Sequence, residues 1–337
     1  MNQRIPGCNI LLQRPPSLLL LVAAALVIVL SYPTPANAQV PPRFYWKSLV
    51  GSNAVPAIFQ ALNGNANPLD PAKTPSADVE FKATVLTAGY ARLWSLFDRS
   101  ALLAILVPMG SISGETTIAG LVANENASGF GDPLVEFGIN VIGPPPIRNI
   151  PDLNRYEPGF SLDIIADVAF PIGEYDNTQT ANLGQNRWYG RVGAPIVWQL
   201  GPWVPGRRTT LELFPSIWFY SDNNDFIGGT LQTDPMSQLE IHLTRDFTET
   251  LWGSFDTTWV AGGKATVDGD PQESLNNLGL GFTLGYPIND NLQLTAAYMA
   301  TVNDGAPTDL RMDGFRFSVV YGWHPLIEAM KRLQGGS

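Results

Sequence analysis

The chain has 337 residues, enough for one large domain or two ordinary ones. Charged residues make up only 15%, against roughly 25% in soluble globular proteins, and 30 Asp+Glu face 20 Lys+Arg. An acidic balance argues against nucleic acid as partner, because phosphate binding requires a basic footprint. One cysteine and two histidines leave no disulfide framework and argue against a multi-histidine zinc centre. No cofactor is expected. Aromatic residues, by contrast, are plentiful: 9 Trp, 10 Tyr and 16 Phe.

Residues 1–38 read as a cleaved signal peptide. Arg4 and Arg14 make a positive start, Ser17 to Leu30 is apolar, and Ala36-Asn37-Ala38 puts small residues at a cleavage point. The apolar run Leu18 to Leu30 is too short for a membrane helix, which needs ~20 residues. Cleavage after Ala38 would remove Cys8 with the leader and export the chain.

Beyond the leader the hydrophobic period is two. Leu162, Ile164, Ala166, Val168 and Phe170 alternate against Asp163 and Asp167, and Leu278 to Tyr286 alternate against glycine and threonine. Side chains of a strand point to opposite faces in turn, so each segment has one apolar face and one polar or small face. Only the run from Ser100 to Met109 is apolar on both. Eleven strands are predicted, at 79–91, 99–109, 131–143, 159–170, 186–199, 208–220, 237–247, 251–261, 277–287, 291–302 and 313–323. Links of a few residues alternate with long ones, as in a membrane barrel with tight periplasmic turns and long outer loops. Parity then requires an ascending strand before 79–91, and Tyr45 to Phe59 is the candidate. The expected fold is all-β: a closed antiparallel transmembrane β-barrel of about 12 strands spanning 39–323, with a tail at 324–337. A secreted β-sandwich would also alternate. Low charge, aromatic residues near strand ends and alternating loop lengths favour the barrel.

Six short motifs add a resemblance. They are Gly129-Phe130-Gly131-Asp132-Pro133, Phe170 to Asp176, Asn182 to Trp188, Trp218 to Asn223, Gly262 to Gly269 and Tyr321-Gly322-Trp323. In this order they resemble the outer-membrane barrel family known as "putative MetA-pathway of phenol degradation". The resemblance implies a barrel that admits hydrophobic or aromatic compounds, with no catalytic residues. Such chains commonly end near the last aromatic residue, whereas here His324 to Ser337 follow Trp323. The expected surroundings are outer-membrane lipid, lipopolysaccharide and the barrel-assembly machinery.

The inward register predicts a lumen lined by Glu80, Lys82, Glu136, Asp163, Asp167, Arg187, Arg191, Glu212, Glu240, Asp256 and Arg316. Seven acidic against four basic groups would make a mildly cation-preferring conduit, or pair and fill the barrel. An apolar substrate would instead meet Tyr189, Phe214, Trp218, Tyr220 and Trp252. Oxygen-rich clusters at Asp222-Asn223-Asn224-Asp225 and Asp268-Gly269-Asp270 read as turns rather than calcium sites. Passive uptake of small hydrophobic molecules is the leading function. A closed structural or adhesive barrel is the alternative, and a barrel hydrolase using His242 with Asp246 is the least favoured, since no serine can be placed beside it.

Overall fold

The computed structural model describes residues 40–76, 79–118, 121–302 and 309–335, so the expected signal peptide and Cys8 lie outside the described residues. Strands dominate: β1 Asn53–Gly64, β2 Val79–Leu96, β3 Arg99–Ile118, β4 Leu121–Phe130, β5 Leu134–Ile142 and β6 Phe160–Ala169. There follow β7 Tyr189–Gly193, β8 Ile196–Gln199, β9 Thr209–Tyr220, β10 Asn223–Phe226, β11 Gly229–Thr233 and β12 Met236–Asp246. The last are β13 Trp252–Gly262, β14 Ala265–Val267, β15 Asp270–Pro271, β16 Leu275–Pro287, β17 Leu292–Val302 and β18 Met312–Trp323.

All wall strands pair antiparallel with their neighbours, and the ring closes where β1 lies on β18, residue for residue from Asn53–Trp323 to Gly64–Met312. Both β4 and β5 pair with β3 and form one interrupted wall strand; β7 and β8 form another between β6 and β9. Twelve wall strands result, an even number as expected of a single-chain outer-membrane barrel. At one end the links are short, apart from 143–159, which carries a helix at Ile150–Arg155. Phe97 and Asp98, with φ of 49° and 59°, make a two-residue turn between β2 and β3, since a primed turn follows the twist of the strands.

The first wall strand differs from expectation. It starts at Asn53; residues 40–47 lie inside the barrel, while 49–52 bond to Ile147 and to Leu93 of β2. The interior segment shows no alternation: the consecutive residues Tyr45, Trp46 and Lys47 all reach carboxylates inside the barrel. What holds it inside is polar: Arg43, Trp46 and Lys47 each find a carboxylate there. Three expected outer loops are also partly strand. Residues 109–118 of β3 pair with 121–130 of β4 as a tall ladder, and β10, β11, β14 and β15 form a separate small sheet. The tail holds a helix, Pro325–Gly335.

The outer face carries the lipid-facing residues. Phe255, Phe282, Ile164, Val168, Phe317 and Tyr321 are all exposed, as an apolar belt requires. Inside, Gly285 sits opposite Trp252, and a Cβ at 285 would fall 2.0 Å from that indole ring. Trp252 in turn lies under the Arg43 guanidinium at 4.3 Å. Gly285→Val should therefore push the ring aside and lower stability by about 1–3 kcal/mol, the usual cost of overpacking. A lower temperature for loss of the compact band on unheated gels would show this, and an unchanged temperature would mean the ring has room to move.

Candidate functional site

Of the eleven predicted lining residues, nine are buried inside the barrel: Glu136, Asp163, Asp167, Arg187, Arg191, Glu212, Glu240, Asp256 and Arg316. Glu80 and Lys82 are a correction, for both are exposed on the outer face. Their neighbours Phe81, Ala83 and Val85 turn inward instead, packing with Leu62, Ile112 and Leu183. An apolar loop segment fills this end of the barrel, so the apolar face of β2 is its inner face here. The aromatic candidates Tyr189, Phe214, Trp218, Tyr220 and Trp252 all point inward, with Phe214, Trp218 and Trp252 fully buried.

Interior charges are placed by strand register. Glu136 faces Asp167, which faces Arg191 on the next strand. Arg191 Nε donates to Asp167 at 2.7 Å and its Nη1 to Glu240 at 3.2 Å, while its guanidinium covers Phe214 and Trp218. His242 and Asp256 are likewise direct cross-strand neighbours, 2.7 Å apart. Ser254 and Thr283 also donate to Asp256, so the serine near this histidine spends its hydrogen on the carboxylate. Asp246, expected to share a face with His242, is held by Arg43 and Arg208.

The interior segment 40–47 rests on these groups. Val40 N–H donates to Glu240 and Arg43 N–H to Glu212, each at 2.8 Å. Trp46 Nε1 donates to Glu212 at 2.8 Å, the Arg43 guanidinium pairs with Asp246, and Lys47 pairs with Asp163. Tyr45 packs edge-on against Phe214. The segment runs toward the end of the barrel that carries the short turns, where Val50 and Gly51 N–H donate to Ile147 O and Leu93 O.

The opposite end is closed by loops that hold four of the six sequence motifs. Asp132, at the break between β4 and β5, accepts from Gly173 N–H at 2.9 Å and from Gln185 N–H at 2.8 Å. A Cβ on Gly173 would lie 2.6 Å from the backbone of Gly131, and only glycine allows this approach. Asn223 donates to Tyr175 and to the carbonyl of Gln185, tying in a further motif. On the exposed part of the loop, the Thr178 hydroxyl and N–H hold the Asp176 carboxylate below its usual range. Loop 65–76 turns into the barrel beside them: Asn67 donates to Asn182 O at 2.8 Å, and Arg187 grips both oxygens of Asp70.

Inside the barrel lies a cavity of about 480 Å³, lined in part by the interior segment and by loop 65–76. One side is apolar: Pro56, Ile58, Val85, Leu102, Leu106 and Leu134, from β1, β2, β3 and β5. The other side is polar and aromatic, with Glu136, Tyr189, Arg191, Trp218, Gln238 and Arg316. The apolar wall was absent from the predicted site. Its signal was the run from Ser100 to Met109, apolar on both faces because one face meets lipid and the other a dry lumen. Charges that line the cavity also differ in sign from the strand-only reading. Arg43, Lys47, Lys73, Arg191 and Arg316 stand against Asp132, Glu136 and Asp163, since three of the cations come from segments outside the wall. Among the described residues no group of three or more His, Cys, Asp or Glu is arranged to hold a metal ion.

Among solved structures, the COG4313 outer membrane channel from Pseudomonas putida F1 is similar over 84% of this chain and 99% of its own, with a TM-score of 0.65 and 19% identity. The transport unit of the autotransporter AIDA-I from Escherichia coli gives a TM-score of 0.45 at 9% identity, covering 89% and 97% of the two chains. The beta domain of the Bordetella autotransporter BrkA gives 0.44 at 10%, covering 81% and 100%. Only the first likeness is strong enough to bear on the fold, and it is again an outer-membrane barrel. No curated relative matches the chain. The family model described as "Putative MetA-pathway of phenol degradation" matches residues 62–319, most of the barrel and every one of the loops that close its outer end, and the chain belongs to that family.

Proposed function

We propose that this barrel passes small hydrophobic or aromatic molecules across the outer membrane by diffusion. The observation that carries the reading is the cavity with its apolar wall, lying inside a transmembrane barrel and lined in part by residues 40–47 and by loop 65–76. Pockets of this size, mostly apolar with a few convergent polar groups, suit a small organic ligand. An aromatic ring would stack on Tyr189 or Trp218 while its other face lies on Leu102 and Leu106. The similarity to a protein described as an outer membrane channel supports the same direction. His242 belongs to the buried packing in this reading, and no hydrolytic step is assigned to it.

Export after cleavage at Ala38 is part of this reading; Val40, close to the start of the exported chain, donates its N–H to Glu240. Trp323, the last outward aromatic of β18, is the residue we assign to recognition by the assembly machinery, and the outer loops would meet lipopolysaccharide.

Two measurements test the reading. Uptake of a labelled aromatic hydrocarbon by cells should fall about tenfold when Leu102 and Leu106 are both replaced by Asp, with the compact unheated band retained, because two unpaired charges would stand in the dry wall. Uptake equal to that of the native protein would remove the support for transport and favour a closed structural barrel. In planar bilayers, Arg43→Ala combined with Trp46→Ala should raise single-channel conductance several-fold, since the segment loses its hold on Asp246 and half of its hold on Glu212. Unchanged conductance would mean that the segment is not what bars the path.

A further inference from the structure

We propose that Lys73 is the head-group site of the cavity, and that the transported molecules are apolar bodies ending in a carboxylate. This rests on the channel reading and names its substrate class. Lys73 is 6% exposed, lies on loop 65–76 inside the barrel and lines the cavity. Its backbone is held in place: its N–H donates to Asp70 O at 3.1 Å, Asp70 is gripped by Arg187, and the preceding Ala72 is fully buried. The side chain has φ of 49° behind it and cannot relax by a small backbone turn without leaving that contact.

Among the described residues, no hydrogen bond or ion pair reaches the Lys73 ammonium. That distinguishes it from the cations around it. Arg43 is paired with Asp246, Lys47 with Asp163, and Arg191 with Asp167 and Glu240. A buried ammonium without a partner is costly, and a ligand oxygen brought to it recovers a charge-assisted hydrogen bond. The lining acids offer less to a ligand. Asp132 is occupied by Gly173 and Gln185, and Asp163 by Lys47 and Asn140. Glu136 keeps one oxygen without a partner, which makes it the competing site, for an amine. It sits directly across from Asp167 with the Tyr45 hydroxyl beside it, deeper than the loop that a molecule entering from outside meets first. Leu69, Leu106 and Pro108 line the same cavity and would take the apolar body of a molecule whose head group is held at Lys73.

The test uses 4-phenylbutyrate, 4-phenylbutanol and 4-phenylbutylamine, which share one apolar body. Binding to the purified protein is read from quenching of tryptophan fluorescence, since Trp218 lines the cavity. The carboxylate should bind about tenfold more tightly than the alcohol, as a charge-assisted hydrogen bond allows. Lys73→Met should erase that preference and leave the alcohol within about twofold, and Lys73→Arg should restore it. A compact unheated band certifies that each variant is folded. If the preference survives in Lys73→Met, or if the amine binds most tightly and loses its advantage in Glu136→Gln, the assignment to Lys73 is overturned. Alcohol binding without any carboxylate preference overturns it while leaving the channel reading intact. Failure of all three probes to bind takes the channel reading down with it.

Discussion

Backbone amides in hydrocarbon have no water to bond, so every wall strand of this protein must be paired along both edges. Closure of β1 on β18 meets that demand, and the rest of the molecule follows from it. Closing the ring divides each strand into a lipid side and a lumen side, which produces the period of two. Twelve strands also make a bore wider than wall side chains can fill, since about eight is the number at which they just meet. The space must then hold water or chain. Here it holds chain: residues 40–47 from the end with short turns, loop 65–76 and the loop after β6 from the other. The cavity is what remains between them.

The interior charges are arranged so that the segment at 40–47 can be held without being required. Glu212 accepts from Thr210 as well as from Arg43 and Trp46, Glu240 from Gln238 and Arg191 as well as from Val40, and Asp246 from Arg208 as well as pairing with Arg43. Asp163 likewise keeps Asn140 when Lys47 is removed. Breaking a buried pair costs ~3–5 kcal/mol when it strands a charge. Each of these four carboxylates retains a donor from the wall or its turns, so withdrawal of the segment strands none of them. The cost falls instead on Arg43 and Lys47, which would move toward water.

The fold was legible in the sequence because closure imposes its pattern on almost every residue. Eleven of the twelve wall strands stand close to their predicted places, and the parity argument required the twelfth. Its start is displaced to Asn53 because Tyr45, Trp46 and Lys47 reach Glu136, Glu212 and Asp163 inside the barrel, long-range contacts that no local pattern encodes. Glu80 and Lys82 failed for a related reason. Charge ordinarily marks the lumen, but at the tall outer end of β2 the lumen is packed by Leu183 and Ala181, and Glu80 and Lys82 are exposed on the other face. The motifs were legible as residues yet not as a place: that Asp132 would take the amides of Gly173 and Gln185 depends on a loop returning across some forty residues, which no local pattern encodes.

Net charge was the most misleading of the simple quantities. The chain carries −10, and the wall register alone gives an acidic lumen. Once the interior segments are in place, five cationic side chains and three acidic ones line the cavity. Many of the acids have moved one layer back, where Asp167, Glu212, Glu240 and Asp246 hold the segments that supply or orient those cations. A carboxylate spent in this way contributes to the fold and little to the field in the cavity, because its charge is already compensated at hydrogen-bond distance. The surface that a passing molecule meets is therefore written by segments outside the strands, with an apolar wall on one side and cations on the other. A change at residues 40–47 or 65–76 can alter what the barrel admits while every wall pairing stays as it is.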